Sequence, residues 1–170
     1  MKRYFDPAKD PFYSMYNVAP YTFAPYKVVW REQASMFTVA VVSSKENKVI
    51  VPDHKLMLVP FEDEQEAHFV CGALASSIAQ LVVKSYVVSV STSTHVLQHI
   101  AVPQFDASNP THTHLAALSQ QAHRLAAGQD LPGLRDLAGL EAQVDEAAAE
   151  LWEITDRELM EIRRSLEELG

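Results

Sequence analysis

The stretch KLMLVPFEDEQEAHFVCGALASSI, residues 55–78, changes its hydrophobic period part-way along. Its first five residues are rich in Leu, Met and Val, which is typical of a short strand. The acidic run at residues 62–66 suits the N-terminal end of a helix, where the helix dipole favours negative charge. The next apolar residues recur at intervals of three and four, which predicts a helix of about four turns, at Ala67, Val70, Cys71, Leu74 and Ile78. A strand is therefore expected to lead directly into a helix.

Further strand signals precede this stretch. Residues 26–31, 36–43 and 48–51 are each rich in Val, Ile or aromatic residues and are bounded by polar or Pro residues, as residues 55–59 are. A polar turn at residues 43–47 predicts a hairpin over 36–51. The continuous apolar run at 39–42 is typical of a strand covered on both faces. The lead-in, residues 1–20, is rich in Pro and aromatic residues and is expected to pack on the body in an extended form.

The signals after residue 80 are mixed. Residues 81–90 look like a strand, Thr94 can cap a short helix that runs to Ile100, and residues 101–103 look like a short strand. Asn109 followed by Pro110 predicts a helix start, with a C-terminal end near Gly128. Two apolar stripes predict two helices in the tail, and a Thr-x-x-Glu capping box at 155–158 separates them.

Together these elements predict an α+β fold. We expect a small twisted antiparallel or mixed sheet with packed helices and a C-terminal helical hairpin. Residues 1–130 would form the α+β domain, and residues 131–170 would form a C-terminal helical appendage.

The composition is that of an ordinary globular protein. Of 170 residues, 48% are hydrophobic and 21% are charged. The single cysteine, Cys71, cannot form an internal disulfide, which fits a reducing compartment, and it lies on the predicted apolar helix face. No apolar run follows the N-terminal residues, and the longest one, residues 69–83, is too short and too interrupted to cross a bilayer. The sequence predicts a soluble cytoplasmic protein without a membrane partner.

The negative charge is concentrated in the second half of the chain. The net charge is −8, whereas phosphate binding by Lys and Arg supplies most non-specific affinity for DNA. Residues 1–90 hold nine basic and nine acidic residues, and residues 91–170 hold five basic and thirteen acidic ones. The first half can therefore carry a basic face, although it is not expected to be a strong DNA binder alone.

Sequence signatures of catalysis are missing. None of the five glycines follows a strand at the spacing of a phosphate or cofactor loop, and no Gly-x-Ser-x-Gly nucleophile elbow occurs. His95 and His99 are four residues apart, and His112 and His114 flank a Thr, but either pair supplies only half of a zinc site. We therefore predict no catalytic residue, no metal site and no cofactor in this chain.

Two segments suit contact with DNA. Strand 26–31 places Lys27 and Arg31 on one face, either as phosphate contacts or as the solvated charges of an edge strand with Trp30 in the core. Residues 89–94 are unusually rich in hydroxyls and follow Lys84 and Tyr86. Hydroxyls contact phosphate oxygens and base edges, although a flexible Ser/Thr loop has the same composition.

Four phrases, in their order along the chain, carry a family resemblance. They are residues 24–31 (APYKVVWR), residues 53–60 (DHKLMLVP), residues 94–103 (THVLQHIAVP) and an acidic helical tail containing residues 151–159 (LWEITDREL). The chain resembles the C-terminal target-recognition (TaqI-like specificity) domain of adenine-N6 DNA methyltransferases and type II restriction-modification enzymes. It departs from them where members often have Asn, at Ala75, and a loop rich in Gly, Lys and Arg, at residues 89–94.

The resemblance implies a domain that reads double-stranded DNA and performs no chemistry. S-adenosylmethionine would bind a methyltransferase catalytic domain or subunit outside this chain, which lacks the Asn-Pro-Pro-aromatic motif of these enzymes. Lys27, Arg31, Lys55 and Lys84 would contact the DNA backbone. Tyr86 and the loop of Ser91, Thr92, Ser93 and Thr94 would approach base edges.

Two other classes of function stay open. The chain could be a scaffold that docks a partner subunit through its acidic helical tail without contacting DNA. A stand-alone hydrolase or metalloenzyme would require histidines and carboxylates to converge in a pocket.

Overall fold

The computed structural model describes residues 6, 8–9, 18–34, 36–44, 48–86, 94–128 and 137–169. It contains a three-stranded antiparallel sheet with packed helices, which confirms the predicted α+β fold. The strands are β1 (Tyr26–Arg31), β2 (Val39–Ser43) and β3 (Leu56–Phe61). The helices are α1 (Glu64–Ala75), α2 (Ser77–Tyr86), α3 (Pro110–Ala126), α4 (Leu137–Leu151) and α5 (Asp156–Leu169), with short 3₁₀ helices at Pro20–Phe23 and Thr94–His99.

The central strand of the sheet is β1. It pairs with β2 on one side, where Val28 lies opposite Val41, and with β3 on the other, where Val28 lies opposite Val59. Four successive residues of β1, 27–30, are buried, so both of its faces are covered. Every residue of β2 is only half-buried. The expectation that the run at 39–42 is covered on both faces is therefore wrong, because β2 is an edge strand.

The predicted hairpin over 36–51 is also wrong. Of the predicted strand 48–51, only Lys48 forms an isolated bridge, and residues 49–51 are exposed. The partner of β2 is β1, whose buried apolar face offers more surface to cover than an exposed segment does. A Val-rich run predicts where a strand lies, but packing in the core determines which strand it pairs with.

A helix replaces the predicted strand at 81–90, as far as Tyr86; residues 87–90 lie outside the described part of the chain. Ile78, Ala79 and Val83 are buried at helical spacing, and packing of this face outweighs the strand preference of the Val pair. Ser76 interrupts the helical run, because its Oγ accepts from the backbone N–H of Ala79 at 3.3 Å and donates to the carbonyl of Ala73 at 2.8 Å. Helices α1 and α2 therefore meet at an angle of 65°.

The predicted helix starts are confirmed where local caps specify them. Asn109 Oδ1 accepts from the backbone N–H of Thr111 at 2.9 Å at the start of α3. Asp63 Oδ1 does the same for Glu66 at 2.8 Å at the start of α1. At the other end of α3, Gly128 adopts φ +75°, the left-handed conformation that favours glycine. The predicted strand at 101–103 has no strand geometry.

The main core joins α1, α3 and α4. Phe69 and Leu115 are fully buried, and Leu140 and Val144 of α4 pack with them. The domain boundary at 130/131 lies outside the described residues, but the helix that follows it shares this core with α1 and α3. Trp152, directly after α4, donates from Nε1 to the carbonyl of Ala101 at 2.8 Å. Its ring also packs against each of the three hydrophobic clusters that the described residues form.

Within the described residues, no single helix is both long and apolar enough to cross a bilayer. Only α1 and α2 taken together reach that length and composition, and the bend at Ser76 separates them.

The turn between α4 and α5 combines two capping motifs. The N–H of Ile154 bonds the carbonyl of Ala149 at 2.9 Å, and the N–H of Glu153 bonds that of Glu150 at 3.3 Å, which is the Schellman pattern. Thr155 and Glu158 then form the predicted capping box: Thr155 Oγ1 accepts from the N–H of Glu158 at 3.4 Å, and Glu158 Oε2 accepts from the N–H of Thr155 at 2.9 Å and from Thr155 Oγ1 at 2.6 Å. These hydrogen bonds lower the pKa of the Glu158 carboxyl. The two helices of the tail are confirmed.

Glu153 carries the one unfavourable backbone angle of this turn. Its φ of +55° lies in the left-handed region, where a side chain costs about 1 kcal/mol relative to glycine. We expect Glu153→Gly to raise the free energy of unfolding by about 0.5–1 kcal/mol, measured by urea denaturation. Glu150→Gly, inside α4, is the matched control and should lower it by about 1 kcal/mol. A loss of stability in Glu153→Gly would contradict the assigned turn.

Candidate nucleic-acid interface and a buried histidine cluster

Two of the predicted DNA contacts, Arg31 and Lys55, lie together at one end of the sheet. Arg31 closes β1 opposite Leu56, and the carbonyl of Lys55 accepts from the backbone N–H of Glu32 at 2.9 Å. Both side chains are exposed, and neither forms an ion pair within the described part of the chain. The pairing of β1 with β3 therefore brings two cationic residues to the same end of the sheet.

The structure corrects the prediction that Lys27 contacts DNA. Its residue exposure is 1%, and its Nζ donates to the carbonyl of Ala24 at 2.6 Å. Burial lowers the pKa of the Lys27 ammonium. Because β1 is central and covered on both faces, a phosphate cannot reach this side chain in the structure. The expected shared face of Lys27 and Arg31 is therefore absent from the surface, whereas Trp30 lies in the core as the alternative interpretation had it.

A second group of predicted residues lies where α2 meets the 3₁₀ helix at 94–99. The ring of Tyr86 stacks on that of His99 with centroids 3.8 Å apart and planes 6° from parallel. Tyr86 is 56% exposed, so one face of the pair is open to solvent. Lys84 lies in the last turn of α2, and Thr94 opens the 3₁₀ helix with its side chain exposed. Sequence reasoning included Tyr86 and Thr94 but missed His99.

Ser91, Thr92 and Ser93 lie outside the described residues. Of the predicted loop, only Thr94 has a described position. Within the described ranges, no hydrogen bond or ring contact links the pair Arg31 and Lys55 with the group around Tyr86. The predicted contacts therefore fall into two groups, one at the end of the sheet and one at the junction of α2 with the 3₁₀ helix.

A buried histidine cluster, absent from the sequence-based site, joins α1, α3 and β2. Val41 donates its backbone N–H to His123 Nε2 at 2.8 Å, so the proton of that ring is on Nδ1, which donates to the carbonyl of Ser119 at 2.7 Å. His68 Nδ1 lies 3.0 Å from Ser119 Oγ, and the two rings meet edge to face with centroids 4.9 Å apart. His123 thereby occupies an N–H of the edge strand β2 that would otherwise be free to pair with another strand.

A cavity of about 350 Å³ adjoins this cluster. Its walls come from β2, the segment after it and the two histidines: Val41, Val42, Ser43, Ile50, His68 and His123. His68 and His123 are 55 positions apart in sequence, on α1 and α3. His68 lies among apolar residues of its helix, whereas His123 follows polar residues and has no local signal that would link it to His68.

The cluster has structural rather than catalytic features. Cys71 is 2% exposed, and burial raises the pKa of its thiol to about 12, so the thiol is protonated and unreactive at neutral pH. Both ring nitrogens of His123 are already engaged. In the described part of the chain, no group of three or more His, Cys, Asp or Glu side chains is arranged to hold a metal ion.

Burial, and after it the nearby His123 and Arg124, lowers the pKa of His68 to about 4. The folded protein therefore binds a proton at His68 less readily than the unfolded chain, whose histidine has a pKa near 6.5. Stability from this group is complete above about pH 6.5, falls as the pH drops towards 4, and is then lost. Between these values we expect a loss of about 2–3 kcal/mol.

The measurement is urea unfolding of the wild type and of His68→Gln at several pH values between 7 and 4. The variant cannot titrate at this position, so its stability relative to the wild type should improve by about 2–3 kcal/mol over that range. His114→Gln is the control, because His114 is exposed and forms no ion pair in the described part of the chain, and it should change the pH dependence far less than His68→Gln does. A stability difference between wild type and His68→Gln that stays constant from pH 7 to 4 would refute the assignment.

Comparison with known proteins gives no match: no family model, no curated protein and no solved structure is similar to this chain. The function is therefore argued from the residues and from the geometry above.

Proposed function

We propose that this chain is a non-catalytic DNA target-recognition domain of a restriction-modification adenine-N6 methyltransferase. It would select the duplex sequence for a catalytic domain or subunit that binds S-adenosylmethionine and modifies the base. The order of the four sequence phrases supports this class. The observation that carries the proposal is the exposed Tyr86–His99 stack, in which Tyr86 ends the helix that carries Lys84 and His99 ends the 3₁₀ helix that begins at Thr94.

The Tyr86–His99 stack has the chemistry of a base-contacting surface. In a duplex the bases are read at their edges in the grooves, where a tyrosine hydroxyl or an imidazole nitrogen can bond a base edge or a phosphate and an aromatic ring can contact a thymine methyl group. Thr94 exposes a hydroxyl at the other end of the 3₁₀ helix that carries His99. Because the stack fixes the Tyr86 ring against His99, less side-chain freedom is lost when DNA binds.

Arg31 and Lys55 would supply the backbone contacts. Phosphate contacts set the register of a protein on the duplex without reading its sequence. With Lys27 buried, the described residues offer fewer cations than the sequence predicted, so affinity from charge is small. We therefore expect weak, salt-sensitive binding, with a Kd of about 10⁻⁴ to 10⁻⁶ M at physiological salt.

The test is a salt titration of duplex binding by fluorescence anisotropy. Arg31→Gln combined with Lys55→Gln should weaken binding to every duplex alike and reduce the slope of log Kd against log salt by about 2. The matched control is Arg157→Gln combined with Arg164→Gln, which removes the same charge from α5 and should change the slope by much less than one. An equal loss in the control variant, or no binding at low salt, would overturn the proposed surface.

A further inference from the structure

A groove of about 520 Å³ runs between α4 and α5. The Schellman turn at Glu153 and Ile154 closes one end of it. Its inner surface is apolar, with the buried Ala149 and Leu159 and the half-buried Ile154. Met160 stands beside them with 62% of its surface exposed, although it lies on a helix that packs into the protein. The accessible apolar surface of the groove is therefore that of Met160 and the exposed part of Ile154, above a floor formed by the buried Ala149 and Leu159.

The rim of the groove is acidic. It carries the carboxylates of Glu146, Glu150, Glu153 and Asp156, and none of these forms an ion pair within the described residues. The one basic residue at the groove, Arg163, is already engaged, because its Nε donates to Asp145 at 2.8 Å. The groove therefore has an excess of negative charge around an apolar centre.

We propose that this groove binds a basic amphipathic peptide segment of a partner protein. An apolar side chain of the segment would pack on Ile154 and Met160, while flanking Lys or Arg side chains would pair with the rim carboxylates. The charge of the rim argues against two other occupants. DNA phosphates would be repelled, and a second copy of this chain would bring the same acidic surface to the contact. The proposal does not depend on the DNA-reading role.

The probe is a fluorescein-labelled 15-residue helical peptide with Leu on one face and Lys on the other, mixed with the full chain in 50 mM salt. A control peptide has Glu in place of every Lys. We expect anisotropy to show saturable binding of the Lys peptide and at least about tenfold weaker binding of the Glu peptide. Equal binding of the two peptides would mean that charge does not select the occupant, and would overturn the proposal, as would no binding of either.

Two pairs of variants place the binding on the groove. Binding of the Lys peptide should weaken about tenfold in the triple variant at the rim, Glu146→Gln, Glu150→Gln and Glu153→Gln. The control triple variant, Glu62→Gln, Glu141→Gln and Glu167→Gln, changes the net charge equally and should weaken binding by less than about twofold. Met160→Ala should weaken binding about fivefold, and Leu169→Ala, at a similarly exposed position on α5, by less than about twofold. Equal effects within either pair would contradict the groove as the site.

Sedimentation of the free chain tests the remaining occupant. A monomer that takes up the Lys peptide supports the proposal. A dimer that the triple variant at Glu146, Glu150 and Glu153 dissociates would show that the groove holds a second copy of this chain, and would overturn it.

Discussion

Asp145→Ala is expected to lower the free energy of unfolding by about 3 kcal/mol. Asp145 is a buried residue of α4 whose carboxylate accepts three hydrogen bonds: from Ser77 N at 2.7 Å, from Ser77 Oγ at 2.8 Å and from Arg163 Nε at 2.8 Å. It thus caps the start of α2 and links it to α5. Alanine would leave the Ser77 donors and the arginine without their partner. The expected loss of unfolding free energy is only about 3 kcal/mol because the Arg163 side chain is 36% exposed and water can reach it.

Chemical denaturation of Asp145→Ala and its neighbours tests this arrangement. Glu141→Ala, an exposed position one turn earlier on α4, is the control and should change stability by less than about 0.5 kcal/mol. Arg163→Ala should cost less than Asp145→Ala, about 1 kcal/mol, because it leaves the cap on Ser77 intact. If Asp145→Ala is as mild as Glu141→Ala, the three helices are not joined through this carboxylate.

The second large effect is expected at Gly72, where α1 and α3 approach most closely. A Cβ atom at Gly72 would lie 2.9 Å from the carbonyl oxygen of Leu115 and 3.0 Å from its Cγ. The backbone oxygen cannot move without displacing α3, and Leu115 is fully buried. Gly72→Val is therefore expected to cost on the order of 3 kcal/mol, and Gly72→Ala somewhat less because alanine favours the helix.

The matched control is the same change at Gly139, which is exposed near the start of α4. Gly139→Ala should raise stability by about 0.5–1 kcal/mol, opposite in sign to Gly72→Ala. Thermal or urea unfolding of the two alanine variants decides the point. A gain of stability at both positions would mean that the helices are farther apart than the structure places them.

Local signals predicted those parts of the fold that a few neighbouring residues determine. Strand β1 was predicted with its observed bounds, and α3 starts at the Asn109 cap and ends before Gly128, because each signal acts within one turn of chain. The same holds for the capping box at Thr155 and Glu158. These caps need no information about distant contacts.

The predictions fail where contacts between residues far apart in the sequence determine the structure. Residues 81–86 contain a strand-like Val pair, yet they form a helix because Val83 packs in the core beside Val28 of the sheet. The order of the strands depends on which one the helices cover, and the sequence does not show that β1 is that strand. The charge of Lys27 and its position on the same strand face as Arg31 predict an exposed side chain, but the central position of β1 buries it.

The same distinction between near and distant residues applies to the candidate site. Composition predicts Tyr86 and Thr94 as DNA contacts because they are close in the chain, and this stays a prediction. The ring partner of Tyr86, His99, is not indicated by the sequence, because a further segment of chain separates the two residues. His68 and His123 come together only through the packing of α1 on α3, which no spacing in the sequence indicates.

Selection of a DNA sequence is the central property proposed for this polypeptide. The most direct measurement is selection of the full chain against a duplex library with a randomised core, in low salt, followed by sequencing of the bound fraction. We expect one recurring sequence to be enriched by the wild type and to lose its enrichment in Tyr86→Ala. A bound fraction with the same base composition as the input library would contradict the claim.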